Sequence, residues 1–300
     1  MEIRYLNRKA LDVERWDRTI AASRAETLYP YSWYLDQVAE HWSALVMGNY
    51  RFLMPLVWKR KLGIPLIYQP FYTQQLGIFS EEVVDPLVAS RFIDRIPSRF
   101  RWARINFNAR NLVAEAPRRA VTDRTNYILP LKNSYDQIRA GYSNNAKRNL
   151  KKGDGLPPPF QNELTCRDLV AFKRKHDVMP RTEKQYVWLT HLLENLVRRK
   201  AGLILSAGRG QELNAAAFIA FSRRRAIYLL SVSSESGKEQ RSMFRIVDTL
   251  IREHAGSELI LDFEGSNIPS VARFFAGFGA RPETYQSVGF RKFPFSWIKT

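Results

Sequence analysis

The stretch Tyr228–Tyr285, YLLSVSSESGKEQRSMFRIVDTLIREHAGSELILDFEGSNIPSVARFFAGFGARPETY, decides how the chain is read. Ala226 to Val232 is a short apolar run rich in β-formers, which predicts a buried strand. Ser233 to Gln240 is polar, contains one Gly and predicts a loop. Met243, Phe244, Val247, Leu250 and Ile251 then recur with the 3.6-residue period of an amphipathic helix. That helix closes at His254 and Gly256. Leu259 to Phe263 predicts a second buried strand, and Val271 to Phe278 a short apolar helix ending between Gly277 and Gly279. Strand, loop, helix, strand is a βαβ unit, which gathers polar groups at the carboxyl ends of its strands. Asp262 and Glu264 fall at such an end, two residues apart and so on one face of an extended strand. They are the candidate catalytic carboxylates. The alternative for Asp262, of equal weight, is a structural carboxylate capping a helix or paired with Arg273.

The same stretch resembles the C-terminal half of the Fem-type aminoacyl transferases and their relatives in the GNAT acyltransferase superfamily. The resemblance rests on Tyr228-Leu229, Ser233-Ser234, the helix through Asp248, Asp262-Phe263-Glu264-Gly265, Phe274-Phe275, Phe278-Gly279 and Tyr285. Where that family usually reads Asp-Phe-Gly-Gly, this chain carries Glu264 in place of the first Gly. The resemblance extends over about residues 30 to 290 and implies an α/β (α+β) fold of two tandem GNAT-like units with mixed sheets. It also implies amide-bond formation, with an acyl or aminoacyl group passing from an activated donor to an amine. Tyr228, Ser233, Ser234, Lys238 and Arg241 are the expected donor- and substrate-binding residues.

Two donors fit that chemistry. Coenzyme A enzymes of the superfamily hold pyrophosphate on backbone amides, with a Gln/Arg-x-x-Gly-x-Gly/Ala loop at a helix start. Ser236-Gly237-Lys238-Glu239-Gln240-Arg241 supplies a single Gly and inserts Glu239, a poor match to acyl-CoA. Fem-type relatives use aminoacyl-tRNA, and Lys and Arg outnumber Asp and Glu by 47 to 29 for a net charge of +18. Such an excess favours anionic partners: RNA, phosphorylated donors or an acidic membrane surface. A non-catalytic RNA- or anionic-membrane-binding protein on the same scaffold is the reading from a different class.

Outward from this stretch the chain repeats itself. Ala44–Met47 and Arg51–Trp58 predict a hairpin around Gly48-Asn49, followed by a strand at 65–69, a helix at 86–96 and a strand at 102–107. Leu203–Ala207 and Ala215–Phe221 predict a second hairpin around Gly208-Arg209-Gly210, ahead of the 227–263 elements. The matching order predicts duplication, with units at 1–133 and 134–300. Ser134–Lys152 predicts one helix opening the second unit, capped by Ser134 and ended by Gly153. Its Lys147, Arg148, Lys151 and Lys152 crowd one end, more cations than a helix dipole needs, and are the candidate phosphate-binding patch. If that patch is scaffold instead, Asp154 and Glu163 are the nearest carboxylates in sequence.

Other chemistries fit poorly. There is no Gly-x-Ser-x-Gly elbow, and the Gly208-Arg209-Gly210 fragment lies in a hairpin with no helix after it. His41, His176, His191 and His254 lack ligand spacing, and Cys166 is the one cysteine, so neither a metal nor a disulfide is expected. No tightly bound cofactor is expected. The start lacks the apolar core of a signal peptide and no apolar run reaches membrane-spanning length, so the expectation is a cytoplasmic protein.

Overall fold

The computed structural model describes residues 1–291 apart from 118, 154, 162, 178–179, 210–211 and 266–267. In chain order the elements are β1 (Ile3–Asn7), α1 (Val13–Ala22), α2 (Ser32–Val38), β2 (His41–Met47), β3 (Phe52–Lys61), β4 (Ile64–Ile67), α3 (Pro86–Asp94), β5 (Trp102–Phe107) and β6 (Arg119–Pro130). Then follow α4 (Tyr135–Ala140), α5 (Asn144–Lys151), β7 (Phe160–Gln161), α6 (Cys166–His176), α7 (Glu183–Arg198), β8 (Gly202–Arg209) and β9 (Glu212–Phe221). The deciding stretch supplies β10 (Arg225–Ser233), α8 (Glu235–Glu239), α9 (Ser242–His254), β11 (Ile260–Asp262), α10 (Pro269–Gly277) and β12 (Arg281–Arg291). The class is α+β, with mixed parallel and antiparallel pairing.

The chain divides into two compact units, Met1–Thr125 with Glu283–Thr300, and Asn126–Pro282. In the first, the strands run β1-β2-β3-β4-β5-β12; only β4/β5 is parallel, and β5/β12 is antiparallel. In the second, they run β7-β8-β9-β10-β11-β6; only β10/β11 is parallel, and β11/β6 is antiparallel. Strand for strand, order and sense are the same. The expected hairpins, β2–β3 and β8–β9, take equivalent places, which is the signature of duplication. The tip of the second hairpin, at Gly210, lies outside the described residues.

The units do not follow the expected division at 133/134. Residues 126–131 pair with the 259–262 segment, for example Ile128 with Asp262, and Leu131 N–H donates to Leu259 O at 2.9 Å. β12, which periodicity did not single out, pairs with β5 from Gln286–Phe107 to Arg291–Trp102. Each unit thus takes its sixth strand from a part of the chain remote in sequence. Pairing of that kind leaves no local pattern, because a strand's sheet is chosen by its partner.

The predicted 134–152 helix is two helices. Gly141 closes α4, and Ser143 restarts the chain as the N-cap of α5, accepting from Ala146 N–H at 3.1 Å. Between them Tyr142 turns inward, its ring 5.2 Å from that of Phe278 and its hydroxyl donating to Asp248 at 3.0 Å. Tyr135 donates to the same carboxylate. Burial, then Asp248, pushes the Tyr135 phenol up to about 12. The Ser233–Gln240 loop is likewise mostly helix, α8, with Ser234 as its N-cap.

The core of the second unit packs Ile246, Val247, Leu250 and Ile251 of α9 and Phe275 and Phe278 around α10 against Leu205, Ala217, Ile219 and Leu261 of the sheet. The 3.6-residue stripe of α9 therefore faces where its period says it should. Ending the chain at Pro282 would remove β12 and leave the β5 edge unpaired. Limited proteolysis of that variant is expected to cleave within residues 1–125 well before residues 126–282. Equal resistance of both parts would show that β12 is dispensable to the first unit.

Candidate active site

β10 and β11 run side by side for only three residue pairs, Arg225–Ile260 to Ile227–Asp262. Beyond that they part, and the cause is local. Asp262 Oδ1 accepts the N–H of Glu264 at 3.0 Å, a side-chain turn, and Glu264 sits at φ 58, in the left-handed region. Phe263 N–H goes to Tyr127 O at 2.9 Å and Tyr127 N–H to Glu264 O, so the chain leaves β10 and follows β6. The Phe263 ring stacks on Phe275 at 4.7 Å and stands 6.0 Å from Tyr228, filling the base of the gap. β10 also carries a bulge between Tyr228 and Leu230, which turns the strand locally.

The parting opens a cavity of about 510 Å³ within the second unit. Tyr228, Ser231, Val232 and Ser233 of β10 form one wall, and Val271, Phe274 and Phe275 of α10 another. Gly237, Lys238, Arg241, Met243 and Phe244 of the α8–α9 turn line a third side, and Lys173, His176 and Asp177 at the end of α6 complete it. The first unit has the same parallel pair, joined only at Leu66–Trp102 and Ile67–Ala103, yet its gap is closed by its own chain. Leu76 there pairs with β5, N–H to Asn106 O at 2.7 Å and O from Asn108 N–H at 2.9 Å, and Gln69 Oε1 accepts the Asn106 N–H.

Of the expected site residues, Tyr228, Ser233, Lys238 and Arg241 line this cavity. Burial holds the Tyr228 phenol well above its ordinary range, a hydrogen bond with Ser231 partly offsetting it, so the hydroxyl keeps its proton at neutral pH. Lys238 pairs with Glu235 at 2.5 Å. Arg241 is the left-handed residue (φ 57) that begins α9. Ser234 is turned away: its hydroxyl accepts Gly237 N–H and donates to Asn214 O. Gly237 is required by packing rather than by phosphate, since a Cβ there would meet Asn214 O at 2.0 Å.

Asp262 and Glu264 are not among the residues lining the cavity. Asp262 is 2% exposed and its Oδ2 is held by Arg225 at 2.6 Å, not by Arg273. Glu264 has left the strand, so the alternation that would put both carboxylates on one face ends at Asp262. The left-handed backbone at 264 is also the reason a glycine suits this position.

Lys147, Arg148, Lys151 and Lys152 are exposed along α5 and its C-cap, and none is ion-paired among the described residues. Lys147 donates to Ala140 O and Arg148 to Asn145. Asp154, the expected neighbour, lies outside the described residues, and Glu163 is exposed. Arg245 on α9 ties the chain after α5 in place, donating to the carbonyls of Leu156 and Pro157 and covering Gly153. The patch thus ends beside the first turns of α9, one turn from Arg241.

Lys173, His176 and Asp177 carry no motif. The one available signal was a cation on the apolar stripe of α6, where Cys166, Leu169, Val170 and Lys173 are all buried. Among the described residues no group of three His, Cys, Asp or Glu side chains could hold a metal ion, and no helix is long and apolar enough to cross a membrane.

The Asp262–Arg225 geometry predicts a structural phenotype. Asp262→Ala leaves a largely buried guanidinium without its carboxylate, a loss of roughly 3–5 kcal/mol. Thermal denaturation should show a melting temperature lower by roughly 6–20 °C at 2–4 °C per kcal/mol. Glu264→Gly should melt at or above the parent temperature, because it relieves the left-handed backbone. A stable Asp262→Ala variant with lost turnover would return the residue to catalysis.

No protein-family model matches the chain, and no curated protein matches it in sequence. Solved structures do match in fold. FemX aligns over 95% of this chain and 97% of its own at 9% identity and a TM-score of 0.67. A tandem GNAT protein from the clavulanic acid biosynthesis pathway aligns over the whole of both chains at 11% identity and a TM-score of 0.55. A GNAT-family acetyltransferase from Colwellia psychrerythraea aligns over 97% of this chain and 100% of its own at 13% identity and a TM-score of 0.54. Same strand order twice over, a parallel pair that parts in each half and full-length superposition on these proteins agree: the chain has the tandem GNAT-like fold of the Fem proteins.

Proposed function

We propose that this chain is an acyltransferase that forms an amide bond, with aminoacyl-tRNA as donor and an amine as acceptor, and that the cavity beside β10 is its reaction chamber. The observation that carries the reading is the open edge of β10. Past Ile227 the strand has no β11 partner, so its backbone groups on that side face a chamber walled by apolar side chains. An ester carbonyl laid along that edge can accept a strand N–H, and such a donor stabilises the oxyanion that forms on attack. The acceptor amine attacks the carbonyl carbon, the C–N bond forms, the bond to the ribose oxygen breaks, and the amine proton leaves as the ribose hydroxyl is restored. The protonated Tyr228 phenol is suited to donate a hydrogen bond to the departing oxygen.

The state of the α8–α9 turn favours tRNA over acyl-CoA. A pyrophosphate needs free backbone amides, and four of those in this turn are already taken. Lys238 N–H goes to Ser234 O, Gln240 N–H to Ser236 O, Arg241 N–H to Lys238 O and Gly237 N–H to the Ser234 hydroxyl. What the turn offers is side-chain cations, Lys238 and Arg241, continued by Arg245 and the α5 patch. A strip of cations, exposed except at the half-buried Arg245, suits a phosphodiester backbone, and the net charge of +18 supplies long-range attraction for it.

The test is transfer from radiolabelled bulk aminoacyl-tRNA, with acetyl-CoA as the parallel arm, to a panel of amines. Turnover with tRNA alone is expected; turnover with acetyl-CoA alone would reassign the donor, and none with either would leave a binding protein. Replacing Lys147, Arg148, Lys151 and Lys152 together by Gln should weaken tRNA binding and flatten the slope of log K against log salt by roughly 3, with an unchanged melting temperature. Unaltered binding with reduced stability would make the patch scaffold.

A further inference from the structure

One hairpin of the first unit has a tip whose residue runs against its own backbone. β3 and β4 pair from Trp58–Ile67 out to Lys61–Ile64, so the turn between them is Leu62-Gly63. β2 stops pairing with β3 at His41–Trp58, and β5 begins at Trp102, opposite Leu66. Residues 60–65 therefore project past both neighbouring strands. Three residues at roughly 3.3 Å each make a reach of about 10 Å. The hairpin points from the amino ends of the parallel pair β4/β5, the end away from that unit's own gap.

Leu62 (φ 50) and Gly63 (φ 76) both lie in the left-handed region, the type I′ form, whose first position suits Asn, Asp or Gly. Leucine is disfavoured there, and it gains no packing in return, for it is 93% exposed. The tip of the β2–β3 hairpin differs. Tyr50 (φ 70) is buried there, and its hydroxyl accepts the Asp12 N–H at 2.8 Å. Nothing within the fold calls for a leucine at position 62.

Cations surround the tip. Lys59, Arg60 and Lys61 lie on one arm and Arg99 stands just before β5 at the same end; none makes an ion pair among the described residues. Behind them are half-buried rings whose faces are already occupied. Arg99 stacks on Tyr5 and Trp58 at 5.1 and 5.6 Å, His41 lies on Trp58 at 4.4 Å, and Lys59 covers Tyr68 at 4.7 Å.

Such charge attracts nucleic acid and anionic lipid alike, and the tip separates the two. A nucleic acid binds through its phosphates and through bases stacked on open aromatic faces. Here those faces are covered, and an aliphatic tip gains little from a base or a phosphate. An anionic bilayer uses every feature present. Lysine and arginine meet its headgroups, Trp and Tyr rings suit headgroup depth, and an apolar side chain enters the acyl boundary about 5–10 Å down.

We infer that the hairpin tip at 59–65 is a membrane-docking prong: Leu62 enters an anionic bilayer while Lys59, Arg60 and Lys61 sit among its headgroups. The inference is independent of the acyltransferase reading.

The test is co-sedimentation of the full chain with vesicles of phosphatidylcholine, alone or with one third phosphatidylglycerol, beside tRNA binding and light scattering. The parent should bind the anionic vesicles at least tenfold more tightly. Leu62→Asn, which suits the turn, should melt no lower than the parent and lose roughly tenfold or more in vesicle affinity, as for a leucine side chain returned to water. Leu62→Phe should keep that affinity, and Arg60→Gln and Lys61→Gln should each cost roughly fivefold. The quadruple Gln variant of α5 should keep the dependence on Leu62. Equal binding to both vesicles, or parental binding by Leu62→Asn, would overturn the inference. So would a loss of tRNA affinity in Leu62→Asn with vesicle binding intact, which would make the prong a nucleic-acid contact. A lower mass of Leu62→Asn in light scattering without lipid would overturn it too, as a contact between copies. Docking through Leu62 in a protein that transfers no acyl group would sink the acyltransferase reading and leave the prong standing.

Discussion

The structure of the second unit depends on one ion pair at the point where two strands separate. Asp262 grips Arg225 across the last shared rungs of β10 and β11, and with its other oxygen it caps Glu264 N–H. One carboxylate therefore ends the ladder and turns the chain. Without the turn β11 would continue beside β10, the strand edge would be consumed by backbone pairing, and no chamber would exist. The desolvation of a largely buried pair is costly, and both oxygens must be satisfied for it to be tolerated. Both are.

Duplication gave two such partings, and the chain fills them differently. In the first unit the segment around Gln69–Leu76 returns to the gap and completes the hydrogen bonds that β4 leaves open on β5. Backbone groups buried in a gap need partners, and the two units meet this need differently. The first supplies them from its own chain and becomes a packed domain. The second leaves them beside a cavity. Identical topology thus carries an asymmetric role, and the asymmetry lies in a loop.

The chamber divides its charge as well. Exposed cations on the α8–α9 turn and α5 lie where screening by water makes single charges cheap to maintain. Lys173 is buried beside Asp177, where charge is costly.

The order of elements was legible in the residues alone. The 3.6-residue stripe of α9, the paired hairpins, the duplication, and the placing of Tyr228, Ser233, Lys238 and Arg241 near one site all follow from local spacing and a family resemblance. Period and turn chemistry act within a few residues, so they survive reading in one dimension. Three matters did not. The membership of β6 and β12 depends on partners 130 or more residues away in sequence for β11/β6 and β12/β5. The role of Asp262 depended on Arg225, 37 residues earlier, and on a left-handed backbone at Glu264 that no spacing rule foretells. Lys173 carries no motif in the sequence, and the packing of α6 buries it. Each is a property of contacts between segments distant in sequence, and only the folded chain brings those segments together.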